Sequence, residues 1–107
     1  MPAAPPRRFA EVDAADAARQ IATGDAWLVQ VRDPGGGDPR AAGADVVTSE
    51  EPMPASAPGG DRAVFVVGHD DARARRFASR LVRAGFPRVF VIRGGIRDWL
   101  ASGQPRG

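Results

Sequence analysis

The sequence predicts one α/β domain built on a central parallel β-sheet with helices on both faces, and three observations predict it. Residues 27–31, 63–67 and 89–92 are short, nearly continuous apolar runs of the kind found in strands covered on both sides. Residues 73–84 carry an amphipathic pattern, with Ala74, Phe77, Ala78, Leu81 and Val82 on one face at the i, i+3, i+4 spacing. From residue 63 onward strand and helix alternate, and right-handed crossovers turn that order into a parallel sheet with helices packed on it.

The remaining elements follow in chain order. Val12, Asp13 and residues 14–22 read as an apolar staple, an N-cap and a short helix that Gly24 ends, with Ala18, Ile21 and Ala22 on its inner face. Residues 33–37 form a Pro/Gly loop. Residues 49–60 hold three prolines and close on two glycines, a poor setting for a long helix, so irregular chain is expected there. Asp70 or Asp71 is placed to cap the helix over 73–84, and Gly85 supplies its left-handed stop. Gly94 and Gly95 lead into a short helix in which Ile96, Trp99 and Leu100 share a face, ending at Gly103.

A chain of 107 residues buries one modest core, not two. Residues 1–8, proline-rich and without periodicity, read as a loosely ordered arm, and residues 9–107 as the domain. No apolar run is long enough to cross a bilayer and the first eight residues lack the apolar centre of a secretory signal, so the default expectation is a cytoplasmic protein that does not engage a membrane. All 15 basic residues are arginine, so an isoelectric point near 10.9 accompanies a net charge of only +2. The whole-molecule field at pH 7 is therefore weak, and the aromatic residues do not interleave with the cations as single-strand binding requires, which argues against nucleic acid as a partner. The chain contains no cysteine, which excludes disulfides, thiolate metal ligands and persulfides.

The order of these elements and several motifs resemble the rhodanese family, whose single domains are α/β with a central parallel sheet. Residues 66–99 carry the most specific part of the resemblance, with Gly85-Phe86, Gly94-Gly95 and Trp99 matching without a gap. Upstream, Leu28-Val29-Gln30-Val31-Arg32-Asp33 resembles the family's first strand and its Asp-Val-Arg turn, with Gln30 where aspartate is usual. Gly43-Ala44 resembles the end of the family's Gly-His-Ile-Pro-Gly-Ala motif, whose first four residues are replaced by Pro39, Arg40, Ala41 and Ala42. The resemblance places the family's nucleophilic cysteine at Gly68 and its loop arginine at Arg73. Gly68, His69, Asp70, Asp71, Ala72 and Arg73 then form a degenerate active-site loop, six residues long as in the sulfur-transferring members rather than their phosphatase relatives.

Sulfur transfer in this family needs a thiolate that attacks a sulfane donor and holds the sulfur as a persulfide. Glycine has no side chain for this, and neither His69 nor the thioethers of Met1 and Met53 offer a thiol, so ordinary sulfurtransferase activity is excluded. His69 carries an imidazole suited to proton transfer, yet its sequence neighbours Asp70 and Asp71 read better as helix caps than as an orienting group or metal ligands. A nest of loop amides at a helix start attracts a small anion, which these two aspartates oppose. Arg73, Arg76, Arg80 and Arg83 fall within a sector of roughly 80° at 100° per residue, a basic stripe beside the apolar face. Such stripes are commonly solvated, and the sharper reading is docking to an acidic partner. A bare Gly94-Gly95 is a very weak phosphate signal and in the family is a tight turn, and residues 33–37 lack the lysine and glycine spacing of a nucleotide site, so both read as structural.

The expectation is a catalytically inactive rhodanese-like domain, without cofactor or metal, that binds an acidic protein partner or a small anion through the loop 68–73 and the stripe Arg76, Arg80 and Arg83. Two alternatives stand beside it: an enzyme of different chemistry with His69 as base and Arg73 as anion clamp, and a structural homo-oligomer subunit.

Overall fold

The computed structural model describes residues 9–24, 26–32, 37, 39–48 and 62–104. The arm expected over 1–8, most of the loop 33–37 and the irregular segment 49–60 lie outside the described residues. The elements are β1 (Ala10–Val12), α1 (Ala14–Thr23), β2 (Ala26–Arg32), β3 (Asp45–Thr48), β4 (Ala63–Gly68), α2 (Asp71–Arg83), β5 (Val89–Ile92) and α3 (Gly95–Ala101). The strands form one five-stranded sheet in the order β1-β5-β4-β2-β3, and every pairing is parallel.

The period-two alternation of the central strands separates two apolar layers. Val64 and Val66 of β4 face the layer closed by Phe77, Ala78 and Leu81 of α2. Phe65 and Val67 face the layer closed by Ala14 and Ala17 of α1 and by Ile96 and Trp99 of α3. Helices thus cover both faces, as the apolar runs predict. Phe65 also stacks on Phe90 of β5, with ring centroids 4.9 Å apart.

Helix α2 starts two residues earlier than the apolar pattern indicates, because Asp70 caps it and brings Asp71 and Ala72 into the first turn. Its end is a Schellman closure, in which Phe86 N–H donates to Leu81 O at 3.1 Å and Gly85 N–H to Val82 O at 3.0 Å. Gly85 takes the positive φ of 102° that this closure requires. Phe86, half-buried, then packs back on the α2 layer and lies 6.1 Å from the Trp27 ring.

Helix α1 is capped by Asp13, whose carboxylate accepts the Asp16 N–H at 2.8 Å. Its inner face departs from expectation: Ala14 and Ala17 are buried, Ala18 and Ile21 half-buried, and Ala22 exposed. Only Asp13 separates β1 from α1, and β1 is held to β5 by the Arg93 N–H donating to Val12 O at 2.8 Å. The first turn of the helix, rather than its last, is therefore pressed on the sheet.

Two strands were not legible in the sequence. β1 and β3 are the sheet edges, three and four residues long and only partly buried, so neither shows a clear alternation. Edge strand β3 is tied to β2 by a side-chain bond, the Trp27 Nε1–H donating to Asp45 Oδ2 at 2.6 Å. Among the described residues no helix is long and apolar enough to cross a membrane.

Because Phe77 is buried between α2 and the central strands, Phe77→Ala should destabilise the fold by about 3–5 kcal/mol in urea unfolding followed by tryptophan fluorescence. Arg76→Ala, on the exposed face of the same helix, should stay within about 0.5 kcal/mol of the wild type.

Candidate functional site

Strand β4 delivers Gly68 to the carboxyl edge of the sheet, where it pairs with Val31 of β2. The chain connections diverge here: β4 continues through α2 to β5 on one side, while β2 pairs with β3 on the other. In open α/β sheets such a point leaves a crevice beyond the strand ends.

Only His69 and Asp70 separate β4 from α2, so the loop 68–73 folds almost wholly into a strand end and a helix start. Asp70 is the cap, its Oδ1 accepting the Arg73 N–H at 2.8 Å. Asp71 reaches across to the next turn, where its two carboxylate oxygens accept the Gly94 N–H at 3.1 and 3.3 Å. Gly94 and Gly95 both take positive φ, 84° and 68°. A Cβ on Gly95 would lie 2.6 Å from Gly68 O and 3.0 Å from His69 O, so glycine lets this turn close directly on the loop backbone.

Gly68 is buried, and a side chain there would point beneath the first turn of α2. Its Cβ would stand 3.0 Å from Asp70 O and 3.4 Å from both the N and Cβ of Ala74. Arg73, with 26% of its side chain exposed, lies with Nε 3.8 Å from Asp70 Oδ2. The loop's own carboxylates therefore hold one of its amides and one of the Gly94-Gly95 turn, and Asp70 faces its arginine, the arrangement opposite to the electropositive setting that activates a thiolate. His69 and Ala72 are exposed. Among the described residues no three His, Asp or Glu side chains gather as a metal-ligating group.

The expected arginine stripe divides. Arg76 and Arg83 are exposed on the outer side of α2, and Arg80 is half-buried with its guanidinium 5.6 Å from the centre of the Phe77 ring. Arg73 instead turns to Asp70. Arg75, outside the sector, pairs with Glu11 of β1 at 3.2 Å and lies 3.9 Å from Asp71, linking α2 to the edge of the sheet.

Gln30, the one polar residue in the β2 apolar run, is fully buried. Its Nε2–H donates to Pro39 O at 2.9 Å and its Oε1 accepts the Ala41 N–H at 2.8 Å. This amide clamp fixes the segment that departs from the family's motif; the anomalous residue was visible in the sequence, but its partners were not. Between that segment, His69 and α3 lies a groove of about 510 Å³, with Pro39 on one side and Ile96, Arg97 and Leu100 on the other. Sequence reasoning missed it because its walls come from three separate stretches of chain.

Removing the cap with Asp70→Ala should cost about 1 kcal/mol in thermal unfolding, and Asp70→Asn only part of that. Gly95→Ala should cost more than Asp70→Ala in the same measurement, since it adds both a carbonyl overlap and an unfavourable φ.

The profile of the rhodanese-like domain family matches residues 13–102. No curated protein matches the chain. Among solved structures, the Alr3790 protein from Anabaena sp. superposes with a TM-score of 0.78 at 26% identity, over 90% of this chain and 79% of that one. The polysulfide-sulfur transferase homodimer from Wolinella succinogenes gives 0.73 at 25% identity, over 92% and 78%. A rhodanese-related protein from Thermoplasma volcanium gives 0.71 at 20% identity, over 92% and 98%, and shares the fold. With the parallel five-stranded sheet, helices on both faces and a family match over most of its length, this chain belongs to the rhodanese-like domain family.

Proposed function

We propose that this protein is a non-catalytic rhodanese-like domain that serves as a protein-interaction module, docking an acidic partner on the outer face of α2. One observation carries the reading: the loop that would hold a reactive sulfur is closed by the chain's own groups. Gly68 stands at its start, Asp70 takes the Arg73 amide, and Asp71 takes the Gly94 amide. The Wolinella succinogenes neighbour is a polysulfide-sulfur transferase; this chain shares its fold but has no thiol to carry sulfur.

The geometry also favours binding over a different chemistry in the same loop. Arg73 as an anion clamp would carry the Asp70 carboxylate 3.8 Å from its Nε, a negative charge that opposes an anion there. Arg76 and Arg83 meanwhile are exposed, with Arg80 half-buried between them against the Phe77 ring, on a helix whose inner face is in the core. Exposed ion pairs contribute about 0–1 kcal/mol each and are screened by salt, so the complex is expected to be salt-sensitive and to depend on several of these cations together.

A fluorescent oligo-glutamate peptide at low ionic strength is the defined probe for this surface. The double variant Arg76→Glu/Arg80→Glu should bind it at least about tenfold more weakly than the wild type, and equal binding would remove the α2 face from the proposal. Incubation of the wild type with thiosulfate should leave its intact mass unchanged, whereas a sulfur adduct would overturn the non-catalytic reading.

A further inference from the structure

We infer that the groove between α3 and the segment at Pro39 is a binding site for a small organic carboxylate with an apolar body. This goes beyond the docking proposal and uses a different surface, on the opposite layer of the sheet from α2. The groove opens at the carboxyl edge of the sheet beside the end of β4, and its volume of about 510 Å³ falls within the range of small-molecule sites, roughly 300–1,000 Å³.

The walls define the ligand class. Ile96, buried at 2% exposure, forms the base, and Leu100, Ala101 and Pro39 add apolar surface. Arg97, His69 and Gln104 supply the polar groups, and among the described residues no carboxylate lines the groove. Arg97 is exposed and makes no hydrogen bond or ion pair with another described residue, so its fork is available for a two-point contact with a carboxylate. The nearby acids are directed elsewhere. The Asp98 carboxylate lies against Gly94, where a Cβ of that residue would be, while Asp70 and Asp71 accept the Arg73 and Gly94 amides.

One cation beside an apolar base fits a monocarboxylate bearing a short aryl or alkyl group better than an inorganic oxyanion, which would need several converging donors. The site is also held in shape before any ligand arrives. Gln30 fastens Pro39 on one wall, and Ile96 anchors α3 in the core on the other, so little ordering cost attends binding.

The test is titration of ¹⁵N-labelled protein with 3-phenylpropionate, followed by amide chemical shifts, with 3-phenylpropanol as the uncharged counterpart. Saturable shifts at His69, Arg97, Leu100 and Gln104, with a dissociation constant on the order of 1 mM for a ligand of this size, are expected. Arg97→Gln, on the surface and without a structural partner, should keep the rest of the spectrum and weaken binding about tenfold, as should the alcohol. The variant Arg76→Glu/Arg80→Glu should titrate like the wild type, which separates this site from the α2 face. Absence of saturable shifts in the groove would overturn the inference. So would equal binding of the alcohol or undiminished binding by Arg97→Gln, since either shows an apolar cleft with no anion recognition.

Discussion

Strand β4 is buried from end to end, Ala63 to Gly68, and the rest of the molecule is arranged by that burial. A strand with both faces and both edges out of water must find backbone partners on each side and apolar layers above and below. β2 and β5 supply the ladders. α2 covers Val64 and Val66, and α1 and α3 cover Phe65 and Val67. α2 returns the chain to a parallel β5, and it begins after only two residues beyond Gly68.

That short passage governs the chemistry of the carboxyl edge. A helix start offers amides without partners, and this chain answers them from within: Asp70 caps its own helix and Asp71 ties the loop to the Gly94-Gly95 turn. The turn in turn sits on the carbonyls of Gly68 and His69. Absence of a side chain at residue 68 and the close approach of Asp70 O to that position are mutually compatible features, since a Cβ there would crowd the carbonyl. The loop joins strand, helix and turn through these contacts, and beside it lie an arginine face on α2 and a cleft against α3.

Much of this was legible in the sequence where a single segment carries its own signal. The β4 and β5 runs, the apolar face of α2 and the glycine at its end follow from local pattern and conformational preference, and Asp70 emerges as the cap from its place before an amphipathic run. The edge strands escaped because three or four half-exposed residues such as Ala10–Val12 have no distinctive period, and strand character there comes from pairing with β5. The inner face of α1 lies nearer its start than its apolar pattern predicts, because the single-residue connection from β1, rather than the helix's own composition, decides which turn meets the sheet.

The sequence by itself determined the fold class and the absence of thiol chemistry, because hydrophobic periodicity is local and a missing cysteine cannot be replaced by any arrangement of the others. Only the tertiary structure decided what surrounds the carboxyl end of β4. Asp71 meeting Gly94, Gln30 holding Pro39 and Ala41, and the cleft shared by Pro39, His69 and α3 all join residues far apart in the chain. Such meetings depend on strand order and register, which arise from how the layers pack and leave no periodic trace in any one segment.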